Sequence, residues 1–244
     1  MQFRTPISIA ALLFCGAGLF AQIPSKEQLA AAARIYFRDS SELPMDVAVT
    51  TTVRNAAGKT TKTSHSTVHV LFKGYSLRTH HFSFQGNSGW FSTGSLRDSF
   101  SGNFAAFMAA GMIADPPEGA EVRVEPGLVS VRTMACKSTE LMEQYPIPKH
   151  FCGTVSYRLG ADTDGGPVFE HFTLDLAGLP ARAKLAYLGE VEISGYRIDG
   201  DFQKALLPGD PKPFLLPGKI VTSITTNKGN LESTNDYSPH PPKK

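Results

Sequence analysis

The sequence has little charge, and the two signs nearly cancel. Charged residues make up 19% of the 244 residues, and 24 Lys and Arg against 22 Asp and Glu leave a formal net charge of +2. Proteins that bind nucleic acid through its phosphates carry a clustered basic surface. The balance of charge therefore argues against a nucleic-acid partner.

The sequence also lacks the short motifs that mark several classes of enzyme. It has no Gly-x-Ser-x-Gly nucleophile elbow, no His-Glu-x-x-His zinc motif and no Gly-x-x-x-x-Gly-Lys phosphate-binding loop. Residues 162–166 have two acidic positions of a calcium-binding loop but lack its remaining ligands. We therefore predict a turn there, and no cofactor is expected.

Only one long apolar run is present, and it lies at the N-terminus. Arg4 precedes residues 7–20, which are almost entirely apolar. A run of about 14 residues is too short for a bilayer span and is typical of a secretory signal peptide. Residues 1–21 are therefore predicted to be a signal peptide, which places the protein in the periplasm or outside the cell. A lipoprotein signal acylated at Cys15 and a retained membrane anchor are the alternatives.

Cysteine is scarce, with three residues in the chain. Removal of the signal peptide would leave Cys136 and Cys152. An even pair in an oxidising compartment predicts one disulfide, which for a loop of about 15 residues would contribute about 3 kcal/mol in the chain-entropy model. Two buried thiols are the alternative.

The region after the signal peptide begins with a helix pattern. Ser25 and Gln28 have the spacing of a capping box, and apolar residues recur at helical spacing from Leu29 to Phe37. We predict an amphipathic helix over about residues 26–38.

Most of the remaining chain alternates between apolar and polar residues and is divided by Gly, Pro, Asn and Asp. Such a pattern predicts antiparallel strands joined by turns. We predict one domain over residues 22–238, followed by a disordered tail at 239–244. The predicted strands span 45–55, 60–73, 75–84, 89–93, 120–125, 128–134, 153–159, 168–176, 181–187, 190–200, 214–216 with 219–227, and 230–237.

One internal segment breaks the strand pattern. Residues 104–114 contain no charge, carry Phe and Met at helical spacing, and end at an Asp-Pro-Pro sequence. We predict an apolar helix that either covers a ligand or belongs to the ordinary core. The fold class is therefore mainly β: an antiparallel curved sheet or half-open barrel with an N-terminal amphipathic helix and an internal apolar helix.

The order of these parts resembles the periplasmic lipoprotein-carrier superfamily of Lol-type proteins. Residues 175–180, Asp-Leu-Ala-Gly-Leu-Pro, are similar to a hairpin of these proteins, and residues 214–221 to a late strand that starts through a Pro. The resemblance implies that acyl chains bind between a half-open barrel and a helical lid. The greater length and the two cysteines of this chain depart from that pattern and put lipoprotein transport itself in doubt.

From these features we expect an exported, non-enzymatic protein that binds a lipid or another apolar small molecule between a curved sheet and a helix. A transient contact with another envelope component is compatible with such a role. The candidate ligand-binding residues are Val68, Val70, Phe72, Phe104, Phe107, Met108 and Met112.

A histidine group offers a second hypothesis. His65 and His69 share one face of a predicted strand, and a two-residue turn at 73–74 would bring His80 onto that face. A register slipped by one residue would bring His81 there instead. Three imidazoles with an open fourth position are a known zinc arrangement.

This second hypothesis is a metal-dependent, hydrolase-like activity on the 65–81 hairpin. Against it, the histidines alternate with Val68, Val70 and Phe72, so their face is expected to be solvated. Arg78 on the same hairpin would also repel a cation. A structural or partner-binding envelope protein is the third possibility.

Overall fold

The structure covers most of the predicted β region. The computed structural model describes residues 23–34, 43–72, 81–84, 113, 116, 119–132, 153–177, 179–185, 187–205 and 214–239. The predicted signal peptide, the cysteines Cys136 and Cys152, and the predicted apolar helix apart from Ile113 lie outside the described residues.

The first described element is helix α1, Lys26–Arg34. It starts where the capping-box pattern places it: the Gln28 amide donates to Ser25 Oγ at 3.2 Å, and the Ser25 amide donates to Gln28 Oε1 at 2.8 Å. These two bonds pair backbone N–H groups that have no partner within the helix. Leu29 is fully buried against the sheet, and residues 35–38 of the predicted helix lie outside the described part.

The prediction of a mainly β, antiparallel fold is confirmed. The strands are β1 Leu43–Asn55, β2 Thr60–Phe72, β3 His81–Phe84, β4 Glu121–Glu125, β5 Leu128–Arg132, β6 Gly153–Ala161, β7 Pro167–Leu176, β8 Ala181–Leu185, β9 Gly189–Ala205, β10 Phe214–Thr226 and β11 Gly229–Pro239.

One sheet contains all of these strands. Its order is β3-β2-β1-β11-β10-β9-β7-β6-β5-β4, with every neighbouring pair antiparallel. In the described part of the chain, β3 and β4 end the path at opposite sides, so the sheet is not closed into a barrel.

Strands β7 and β8 follow each other along the same edge of β9. Asp175 of β7 pairs with Arg197, and Ala181 of β8 pairs with Ile193, so both strands run antiparallel to β9. Residues 177–180 therefore join two strands that lie end to end. The resemblance implied a hairpin over 175–180. That expectation is wrong, because β7 and β8 each pair with β9.

Strand β10 accommodates a proline through an irregularity in its pairing. Its register with β9 shifts between Pro217 and Ile220. Proline has no N–H for the ladder, so it occurs at such bulges. The side chain of Gln203 bridges the irregularity by donating to the carbonyls of Pro217 at 2.7 Å and Tyr237 at 2.8 Å.

The pairing register aligns one row of inward-facing residues across nine strands. Because side chains alternate between the faces of a sheet, the row lies entirely on the face that carries the core. Its members are all buried or half-buried, from the β2 side to the β4 side: Ser66, Val49, Asn235, Ile220, Gly200, Phe172, Tyr157, Val129 and Val124.

Aromatic rings fill the centre of this inner face. Tyr157 meets Phe169 edge-on with ring centroids 5.3 Å apart, and Phe172 meets Phe202 in the same way at 5.3 Å. The Phe172 ring lies directly over Gly200, where a Cβ atom would overlap ring carbons. The Phe172 ring can therefore pack there only because Gly200 has no side chain.

We predict that Gly200→Ala lowers the free energy of unfolding by about 1–3 kcal/mol, because the buried Phe172 ring must shift. Gly166→Ala is the matched control, since no atom lies within 4 Å of a Cβ at that position. Urea unfolding of both variants tests this. Equal unfolding free energies for the two variants would contradict the packing.

Candidate functional site

A pocket of about 400 Å³, lined mostly by apolar residues, lies between α1 and the inner face of β4. This volume falls within the range of about 300–1,000 Å³ that is usual for small-molecule sites. The apolar part of its lining is formed by Leu29, Ala30, Ile113, Pro116, Val122 and Val124.

Two features of the fold create this space. Ala30 follows the buried Leu29 on α1, and its small side chain leaves room between the helix and the sheet. Val122 and Val124 alternate onto the inner face of β4, which ends the described sheet. The pocket therefore lies at a sheet edge rather than in the packed centre.

The remaining residues of the pocket lining are the exposed Lys26 and Glu27 at the start of α1. Hydrogen bonds from its own backbone amide and from Ser25 lower the pKa of Glu27, so this carboxylate is ionised at neutral pH. The pocket thus combines an apolar wall with charges at its solvent side. Six of the eight described lining residues are apolar, and none of the eight is a Ser, Cys or His.

The predicted ligand-binding residues do not line this pocket in the described part of the chain. Val68 is fully buried on the inner face of β2, opposite Val47. Val70 and Phe72 belong to β2, but their side chains are not described. The four predicted residues on the apolar helix, Phe104, Phe107, Met108 and Met112, lie outside the described residues.

Sequence reasoning missed the pocket residues, although their signals were present. The pattern from Leu29 predicted a helix with one apolar face, and the alternation at 120–125 predicted a strand. Nothing local in either segment indicates that the two meet. Ile113 is the one described residue of the predicted apolar helix, and it is buried against the same core.

The histidine hypothesis is tested only in part. His65 is exposed, and its Nδ1 lies 3.1 Å from Thr50 Oγ1, as expected for the solvated face. The ladder pairs Leu71 with His81, so the register predicted from a turn at 73–74 is wrong. In this register odd-numbered residues of β3 pair with odd-numbered residues of β2, which is the parity of the alternative, slipped register with His81.

The proposed three-histidine site itself remains a prediction. His80 and the side chain of His69 lie outside what the structure describes. Within the described residues, no three His, Cys, Asp or Glu side chains are placed to hold a metal ion.

The predicted turn at 162–166 is confirmed. The Gly165 amide donates to the Asp162 carbonyl at 2.9 Å, and the Asp162 amide donates to the Gly166 carbonyl at 2.8 Å. The Asp162 carboxylate pairs with Lys204 Nζ at 2.8 Å. The first acidic residue of the calcium-like sequence is therefore already neutralised by a lysine.

A polar network occupies the outer face of β7 and β9. Arg197 donates to the Asp199 carboxylate through Nε at 2.7 Å and Nη2 at 2.9 Å, and the Thr173 hydroxyl donates to it at 3.1 Å. His171 Nδ1 lies 2.8 Å from Asp201 Oδ1. Although partial burial alone would raise the pKa of Asp199, the bonds from Arg197 and Thr173 lower it.

Comparison with protein-family models gives no match, and comparison with curated proteins gives no significant one. None of the helices that the structure describes has the length and apolar character to cross a membrane.

We predict that Asp199→Asn lowers the free energy of unfolding by about 1 kcal/mol at neutral pH, because it weakens charge-assisted hydrogen bonds. The lowered pKa means that this contribution is present above the unfolded-state pKa of about 3.9 and is lost as the pH falls through the folded-state value. The difference from the unaltered protein should therefore shrink at about pH 3.

Urea unfolding at both pH values measures this difference, with Asp164→Asn in an exposed turn as the control. A destabilisation by Asp199→Asn that is the same at both pH values would contradict the electrostatic account.

Proposed function

We propose that this chain is an exported, non-enzymatic protein that binds a lipid or another apolar small molecule between a curved sheet and a helix. The observation that carries the proposal is the pocket of about 400 Å³ between α1 and β4. Six of its eight lining residues are apolar, so an apolar group bound there would be stabilised because its surface and that of these side chains leave water together.

The position of the pocket favours a ligand that must be taken up and released. A cavity in the packed centre of the sheet would require Tyr157 or Phe172 to move, and both are fully buried. The pocket at β4 lies beside the free end of the described sheet instead. A flexible hydrocarbon chain can reach such a site without displacing the core.

A contact across the sheet supports a concave inner face. Lys62 Nζ on β2 lies 4.0 Å from the centroid of the Tyr187 ring, which belongs to the turn between β8 and β9. Three strands separate β2 from β9 in the sheet order. Since neighbouring strands lie about 4.8 Å apart, such a contact requires the sheet and the hairpin to bend toward each other.

Two predictions from the sequence agree with this proposal. The predicted signal peptide at residues 1–21 would deliver the chain to the envelope or the medium, where lipids and other amphiphiles are available. The predicted apolar helix over residues 104–114 includes Ile113, which lines the pocket. The Phe and Met residues of that helix suit adaptable contact with a flexible chain.

Ala30→Phe should place an aromatic ring in the pocket and weaken binding of a fluorescent fatty acid. Loss of contact with two methylene groups costs about 1.6 kcal/mol, which corresponds to roughly a tenfold loss of affinity. Ala31→Phe is the matched control, because Ala31 is the next residue of the same helix and is exposed. Fluorescence titration of Ala30→Phe, Ala31→Phe and the unaltered protein measures the effect.

Native mass spectrometry of protein purified without detergent provides a second readout. We expect a lipid-sized adduct on the unaltered protein and on Ala31→Phe, and its loss from Ala30→Phe. Equal fatty-acid affinity in the two variants would contradict the assignment of the pocket. Failure of the unaltered protein to bind any fatty acid or to retain any lipid would overturn the proposed function.

A further inference from the structure

The pocket between α1 and β4 has a limited capacity for hydrocarbon. Its volume is about 400 Å³, and all the residues that line it belong to the described part of the chain. An apolar cavity of about 150 Å³ binds one molecule of benzene, which corresponds to about 25 Å³ for each carbon atom. By this measure the pocket has room for about 16 carbon atoms. This is an upper limit, because part of the volume is open to solvent beside Lys26 and Glu27.

The packing beside the pocket prevents it from extending toward the centre of the described sheet. Val129 on β5 pairs with Val124 of the pocket wall, and it is fully buried. The next residue of the same row is Tyr157, which is also fully buried and packs edge-on against Phe169 at 5.3 Å. A ligand that enters beside Val124 therefore meets filled space on this side of the pocket.

This capacity suits a lipid with one hydrocarbon chain. A single chain of up to about 16 carbon atoms fits the volume, whereas two such chains would need about 800 Å³. Hydrocarbon that the pocket cannot enclose stays in water and contributes nothing to the affinity. A second chain would therefore add apolar surface to the ligand without adding binding energy.

The charged residues of the lining do not select a head group by its charge. Lys26 and Glu27 are both exposed, and their opposite charges sum to zero. The property of a ligand to which the pocket responds is therefore the amount of hydrocarbon that it carries. Ala30 has the smallest side chain in the lining, so its size affects this amount most directly.

We infer that the ligand is a single-chain lipid, and that the pocket limits the enclosed part of the chain to about 16 carbon atoms or fewer. The inference rests on the proposed function, because it requires the pocket to bind hydrocarbon. It adds the class of lipid and names Ala30 as a residue that sets the length limit.

The test measures affinity against chain length. Monoacylglycerols with chains of about 8 to about 20 carbon atoms, below the concentration at which each aggregates, displace a fluorescent fatty acid from the protein. A diacylglycerol is compared with the monoacylglycerol that carries the same chain. The proteins are the unaltered chain, Ala30→Leu and the control Ala31→Leu, whose altered residue is exposed on the same helix.

In the unaltered protein we expect affinity to rise about fourfold for each added methylene group and then to level off at about 16 carbon atoms or fewer. Ala30→Leu enlarges a lining side chain by about three carbon atoms and should shorten the limit by about as many. Chains below that shorter limit should bind all three proteins equally, which verifies that Ala30→Leu is folded. The diacylglycerol should bind no more tightly than its monoacylglycerol.

Failure of this inference can be distinguished from failure of the proposed function. Affinity that keeps rising beyond the limit, a second chain that strengthens binding, or a limit that Ala30→Leu leaves unchanged overturns the single-chain assignment. The proposed function would then still stand. Absence of binding by the fluorescent fatty acid and by every monoacylglycerol overturns the proposed function and this inference with it.

Discussion

The fold depends on one constraint, the antiparallel register that aligns one row of inward-facing residues across nine strands. A slip of one residue in any ladder would move the apolar side chains of that strand into water. The inward row reaches from Ser66 on β2 to Val124 on β4, and at its centre Phe172 packs over Gly200. The register therefore determines which side chains lie on the inner face, where an apolar site can form, and which lie on the outer face, where charged groups meet.

The same alternation makes the two faces of the sheet differ at its β4 end. On β4, valines alternate with charged residues, so the valines that line the pocket lie on one face of this short strand and the charged residues on the other. In the middle of the sheet the corresponding spaces are filled, on the inside by aromatic rings and on the outside by the Arg197–Asp199 network. The pocket between α1 and β4 therefore lies where the described sheet ends.

The strands and turns could be predicted because their signals are local. Alternation fixed the strand pattern, and Gly, Asp and Asn marked turns such as 162–166. The pairing order could not be predicted, because β1 pairs with β11 from the far end of the chain. The Leu71–His81 register also escaped prediction, since it depends on the conformation of the connection rather than on the strands. The pocket was missed for the same reason: Ala30 and Val122 meet only through tertiary contacts.

The central claim is that hydrocarbon binds between α1 and β4. It is tested most directly by photo-crosslinking the protein with a fatty acid that carries a photoreactive group at the end of its chain, followed by mass-spectrometric mapping. The account predicts labelling of peptides that contain residues 26–30 and 121–125, with competition by unlabelled fatty acid. Labelling confined to other parts of the chain, such as the exposed face of β2, would contradict it.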